Sequence, residues 1–253
     1  MEIPRRVNVA GTHISATSYE EVVKLCRAWA AVKDEPHANY VCVTSVHGVI
    51  EARSDAELRR AFEQADVVTP DGMPIVWALR SFGIKDQQRV YGPTLMLHIC
   101  EAAAREGWRI FLYGARAETL AELKKRLCDR FPGLLITGTH SPPFRGLTEQ
   151  EEMDVRQQVN DSHPDILFVS LSTPKQDKWM LAHRASFPGV TMIGVGAAFD
   201  FHAGRTRQAP AWMQRNGLEW LFRLLVEPTR LWRRYLLVTP RFLPLWFWQW
   251  IKR

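Results

Sequence analysis

Cysteine is scarce in this chain, and what there is does not cluster. Cys26, Cys42, Cys100 and Cys128 lie far apart, and no pair has the spacing of a metal site or a redox dithiol. Cys42, in a strand-like run, and Cys100, in a helix-like one, read as small buried hydrophobes, which fits a reducing cytosol. The eight histidines form no H-x-x-x-H or H-x-E pair. There is no G-x-x-x-x-G-K-[ST], so a P-loop is excluded. There is no D-x-D pair either, which argues against a nucleotide diphosphate held through a metal. Neither a metal nor a cofactor is expected. No apolar run approaches the roughly 20 residues that span a bilayer. The longest candidate, 242–251, is about half that length and contains Pro244 and Gln249, so it is expected to lie in a membrane interface rather than cross it. The opening stretch through Gly11 lacks the apolar core of a signal peptide. Internal repeats and low-complexity segments are absent.

What is there is unevenly placed. Residues 204–253 hold ten Lys/Arg against Glu219 and Glu227, whereas residues 1–203 hold 23 Lys/Arg against 25 Asp/Glu. The net charge of +6 therefore comes from the tail. Six of the ten tryptophans are there too: Trp212, Trp220, Trp232, Trp246, Trp248 and Trp250. Arginine interleaved with tryptophan suits an anionic membrane surface, where the cation meets phosphate and the indole takes the interface. A basic surface helix packed on its own core is the plainer reading. The chain is thus divided into a core, 1–203, and a basic, Trp-rich appendage, 204–253.

The core alternates short apolar strands with helices. Strands are expected at 40–44, 66–69, 108–113, 133–136, 165–170 and 190–195. Helices are expected from a capping box at Ser18/Glu21, over 55–65, 73–79, 92–106 and 119–131, and from a second capping-box start at Thr148. That alternation means βαβ units and a mainly parallel α/β sheet with helices on both faces. Ligands of such sheets bind beyond the carboxyl ends of the strands. In the tail, Pro228 and Pro240 are expected to break a helix into three pieces, leaving Arg230 and Arg234 as a local stripe.

Candidates follow from those strand ends. Asp71, before Gly72, is placed either as a general base facing a crevice or as the cap of the helix from Met73. Gly72 would let a substrate approach the backbone. In Thr173-Pro-Lys-Gln-Asp177, Pro174 is expected to open a helix capped by Thr173. Its first-turn amides and Lys175 would hold an anion, and Gln176 a sugar hydroxyl or diphosphate oxygen; an ordinary helix start is the alternative. Gly194-Val-Gly196-Ala-Ala-Phe199 mimics a dinucleotide fingerprint, but Phe199 replaces its third glycine.

Taken in order, several stretches resemble one family along nearly the whole chain. They are 44–53, Asp66-Val-Val-Thr-Pro-Asp-Gly72, Arg89-Val-Tyr-Gly92, Phe111-Leu-Tyr-Gly114-Ala115, Ser172 to Asp177, Val195 to Asp200, and Ala209 through Trp220 to Arg223 and Glu227-Pro. The chain is similar to the WecG/TagA/CpsF family of bacterial glycosyltransferases. The resemblance implies a Rossmann-like, inverting transferase with a UDP-sugar donor and a polyprenyl-diphosphate-linked acceptor at the inner face of the cytoplasmic membrane. It implies Asp71 as base near Thr44, with Gln176 in the site. Ser45, Gly72, Arg89, Gly92, Gly114, Lys175, Asp177, Phe199 and Asp200 are its candidate binding positions. It implies that Arg223, Arg230 and Arg234 close over the donor diphosphate, and that a soluble homo-oligomer gives way to an active monomer on the membrane. Many members carry Asn where Ser45 stands and Arg where Gln208 stands. With the aromatic tail, those departures point to the exopolysaccharide type, moving a glucose-like or N-acetylmannosamine-like sugar.

Readings of other classes separate on the same residues. A non-catalytic membrane protein would need the tail but not Asp71, Gln176 and the arginines. An NAD-dependent oxidoreductase would rest on the incomplete glycine pattern. Nucleic-acid binding would use the tail arginines, but the Trp-rich apolar end speaks against it.

Overall fold

The computed structural model describes residues 3–32 and 35–252. Arg253, counted in the basic tail, lies outside them, as do the first two residues of the opening stretch. Among the described residues, eight strands form two sheets. β1 (Arg6–Val9) and β2 (Thr12–Ser15) make an antiparallel hairpin. β3 (Asn39–Thr44), β4 (Val67–Pro70), β5 (Arg109–Gly114), β6 (Leu135–His140), β7 (Ile166–Ser170) and β8 (Thr191–Gly194) form the main sheet. Its order is β4-β3-β8-β7-β5-β6 and every neighbouring pair is parallel. The hairpin is a feature the sequence reading missed. Its signal was local: apolar Val7 and Val9 alternate with polar neighbours, then Ala10-Gly11 turns the chain with both φ positive (51° and 100°).

The core helices expected from periodicity and caps are present, and Val46–Glu51 and Ala198–His202 are added to them. Ser18 and Glu21 close a capping box at the start of Tyr19–Ala31, and Thr148 with Glu151 does the same for Glu149–Asp161. Asp55 accepts the Leu58 amide to open Ala56–Gln64. Gly92–Glu106 runs to a left-handed Gly107. Because the sheet is covered on both faces, two apolar clusters form. One gathers Tyr40, Cys42, Phe62, Phe111 and Met192, the other Val41, Ile99, Ile110, Phe168 and Phe199. Alternate residues of one strand serve opposite clusters, as the twofold strand period requires. Three cross-strand registers bring the carboxyl ends of β3, β8, β7 and β5 to one edge.

The appendage differs from the three-piece expectation. Glu219–Val226 ends at Glu227, as the following Pro228 demands. From Pro228 the backbone stays helical to Ile251, through Pro228–Trp232, a wide π turn at Arg233–Val238, a tight turn at Thr239–Arg241, and Phe242–Ile251. Pro240 has no N–H to donate. The wide turn absorbs the loss: the Thr239 amide and hydroxyl both reach the Arg234 carbonyl. Leu231 and Phe242 are buried and anchor the segment on the core. Among the described residues no helix is long and apolar enough to cross a membrane.

Candidate active site

Two cavities open at the carboxyl edge of the main sheet. The first, of about 120 Å³, sits beyond β3 and β4 and is roofed by the appendage. Ser45, His47, Asp71, Gly72, Arg89 and Tyr91 line it from the core; Glu219, Trp220, Arg223, Arg234 and Tyr235 line it from the tail. The second, of about 470 Å³, sits beyond β5, β7 and β8. Arg116, Lys175, Arg145 and Arg230 bring cations to it, and Asp200, Phe144 and Trp179 also line it. β3 and β8 are hydrogen-bonded neighbours, so the two floors meet at adjacent strands, about 4.8 Å apart.

Asp71 enters the first cavity directly after β4. Its amide is held by the carbonyls of Thr44 (2.8 Å) and Thr69 (3.1 Å). The helix Met73–Ser81 is capped by Gly72 at φ 119°, with no side-chain hydrogen bond. The cap reading of Asp71 therefore fails. Its carboxylate instead accepts from Arg89 Nε (3.0 Å) and Nη2 (2.8 Å). The third nitrogen of that guanidinium, Nη1, reaches Glu219 Oε2 at 2.7 Å, and its plane lies 4.0 Å over the Tyr91 ring. Burial raises the Asp71 pKa and Glu219 adds to the rise, against Arg89 and Arg234. Burial disfavours charge on Arg89, but Asp71 and Glu219 more than compensate and hold it firmly protonated. Arg234 Nη2 donates to Ser45 Oγ at 2.9 Å. Burial, then Arg234, pushes His47 down to about 4, leaving a neutral imidazole whose buried Nδ1 has no hydrogen-bond partner.

Other candidates sit behind the site rather than in it. The Thr44 side chain is fully buried, and its carbonyl is what holds Asp71. Gln176 is buried too, accepting the Gly196 amide at 3.0 Å and so shaping the floor of the second cavity. Asp177 is fully buried against Thr173 and Cys42 and faces neither cavity. Phe199 is a core residue. A Cβ on Gly92 would press on the Val195 carbonyl at 3.0 Å, and one on Gly114 would meet the Ser170 carbonyl at 2.4 Å; both are close-approach glycines. Thr173 does not cap a helix begun by Pro174. The helix is Lys175–Ala182 with Pro174 at the cap position and no side-chain cap bond. Lys175 and Asp200 do line the second cavity. Ala115 and Ser172, on its rim, hold left-handed φ of 58° and 64°. Non-glycine residues there cost of order 1 kcal/mol each and gather at functional loops.

The tail arginines divide. Arg223 and Arg234 face the first cavity, whereas Arg230 pairs with Glu227 and lines the second. The expected Arg230/Arg234 stripe is thus split between the two cavities. Sequence reasoning missed Glu219, Tyr91, His47, Phe144 and Trp179. Glu219 carried a signal, as one of two acids in a strongly basic tail, and His47 and Tyr91 lie in stretches that carry the family resemblance.

The family model for the glycosyl transferase WecG/TagA/CpsF family matches residues 7–253. The chain belongs to this family. It is similar to an N-acetylglucosaminyldiphosphoundecaprenol N-acetyl-beta-D-mannosaminyltransferase of Bacillus spizizenii, 32% identical over 74% of this chain and 70% of that one. It is also similar to the protein of the same description in Bacillus subtilis strain 168, 31% identical over 73% and 70% of the two chains. As a WecG/TagA/CpsF glycosyltransferase, the chain has its carboxylate and cation sets on one edge of the sheet.

Proposed function

We propose that this transferase moves a hexose from a UDP-sugar to a polyprenyl-diphosphate-linked saccharide, with inversion, at the inner face of the cytoplasmic membrane. The carrying observation is Asp71, a strand-end carboxylate in a small cavity next to a larger cationic one. In this reading the nucleoside and diphosphate lie in the second cavity, among Arg116, Lys175 and Arg230, with the exposed Phe144 ring available to a planar base. The acceptor hydroxyl lies in the first. Asp71 takes its proton, the oxygen attacks the anomeric carbon, and the bond to the diphosphate breaks in the same displacement. Arg223 and Arg234 on one side and Arg230 on the other meet the charge that develops on the leaving group. The names of the two Bacillus relatives support an acceptor of diphosphoundecaprenol type and favour N-acetylmannosamine over glucose. That draws the reading away from exopolysaccharide and toward a cell-wall polymer.

Asp71→Asn is expected to lower turnover by about 10²–10⁴-fold while UDP binding stays near wild type. Near wild-type turnover would remove Asp71 from the base role. Among the described residues no three His, Cys, Asp or Glu side chains are grouped to hold a metal ion. Because Arg116, Lys175 and Arg230 can meet the diphosphate charge, transfer is expected to survive EDTA. Loss on chelation with recovery on adding Mg²⁺ or Mn²⁺ would show that the arginines do not carry the diphosphate charge alone.

A further inference from the structure

Arg89 is shared between two carboxylates from different parts of the chain. Nε and Nη2 serve Asp71, on the core, at 3.0 and 2.8 Å. Nη1 forms an ion pair with Glu219, on the appendage, at 2.7 Å. Arg89 Cζ lies 4.0 Å from the Tyr91 ring centroid, a cation–π contact that favours this shared position. All three side chains of the ion triad are at most a fifth exposed (16% for Arg89, 19% for Asp71, 12% for Glu219), so solvent screens them little. One cation facing two anions leaves the triad with a net negative charge. A base paired one-to-one with an arginine is a weak base, because the cation stabilises its ionised form. A base that must share the arginine is stronger.

We propose that Glu219 is a positioning residue for the reaction. By drawing on Arg89 when the appendage docks, it strengthens Asp71 as a base, so full basicity exists only with the roof closed. The inference rests on Asp71 being the base. The groups facing Asp71 agree with it. Arg89 precedes Gly92–Glu106, Glu219 opens Glu219–Val226, Arg234 comes from the wide turn, Tyr19 from Tyr19–Ala31, and Tyr91 lies beside Arg89. His47 and Arg223 line the same cavity. Of these, Glu219 is the one carboxylate, and its charge acts on Asp71 in the direction of greater basicity. Its place in the tail makes that charge conditional on docking.

The test is a carboxyl ¹³C NMR titration of the full chain, with the Asp71 signal assigned by its loss in Asp71→Asn. Glu219→Gln keeps the side-chain shape and removes the charge. The Asp71 midpoint is expected to fall by about one pH unit. The acid limb of kcat/KM should move down with it, and kcat on the plateau should drop a few-fold. The substrates for that profile are UDP-N-acetylmannosamine and a short-chain polyprenyl-diphosphate N-acetylglucosamine. An unmoved midpoint overturns the proposal, even if activity falls, since a merely structural clasp would lower activity without moving it. Should Glu219→Gln fail to fold, Glu219→Asp is read instead. Its shorter carboxylate withdraws from Arg89, so the midpoint should shift the same way by less, and no shift again overturns the idea. If Asp71→Asn turns over at the wild-type rate, it is the base assignment that fails, whatever the midpoint does.

Discussion

Asp177 shows how a site-like residue can be structural. It lies in the Ser172-Thr-Pro-Lys-Gln-Asp177 stretch, yet its side chain is fully buried beside Cys42 and Thr173. Burial pushes its carboxyl up to about 6. The unfolded chain releases this proton near pH ~4, so between there and the folded value the native state holds the extra proton. Stability therefore falls as pH rises through that window, by about 3 kcal/mol at most, and stays lowered above it. Asp177→Asn is expected to flatten that slope and to raise the melting temperature at pH 8. Thermal melts from pH 4 to about pH 8 check both, and an unchanged slope would assign it to another group. Gln176, one residue earlier, fixes a loop: its carbonyl oxygen takes the Gly196 amide.

At the scale of elements, the last helix is held by polar bonds as well as by its apolar face. Gln249 accepts the Ala10 amide (2.8 Å) and donates to the Asn8 carbonyl (2.8 Å), so it closes the turn of the β1–β2 hairpin. Trp246 Nε1 donates to Ser81 at 3.0 Å, and its ring stacks near Phe242. Gln249→Ala strands the Ala10 amide and is expected to weaken docking of Phe242–Ile251 by about 1–2 kcal/mol. Hydrogen exchange should then quicken in that helix and the hairpin turn while the six-stranded sheet keeps its protection. Uniform quickening throughout would mean that the contact supports the whole fold instead.

For the whole molecule, the outward face of the appendage is where the proposed membrane contact is tested. Leu243, Phe247, Trp248, Trp250 and Ile251 are all more than half exposed, and Leu243, Phe247 and Trp250 flank one apolar hollow. A contiguous apolar face of this kind beside arginines supports interfacial binding. The six tail tryptophans are not equivalent. Replacing Phe247, Trp248 and Trp250 by Ser is expected to abolish flotation with anionic liposomes with little change in melting temperature. Trp246→Ser should do the reverse, since its indole packs inward. Equal effects from both variants would rule out an outward membrane face separate from the docking face.

Periodicity, caps and strand-end chemistry are local, so the sequence by itself determined the parallel α/β core, the helix starts at Ser18, Asp55 and Thr148, and the candidacy of Asp71. Its tail composition also determined where charge and tryptophan concentrate. Only the tertiary structure decided which candidates share a space. Burial removed Thr44, Gln176, Asp177 and Phe199 from the cavity walls, because side-chain direction beyond a strand end depends on what packs behind it. The wide turn ahead of Pro240 kept the helix whole, since a lost amide can be absorbed by a neighbouring turn rather than by a break. Glu219 meets Arg89 across 130 residues of chain. No local pattern encodes such a pairing, which exists only once the appendage has folded back over the sheet.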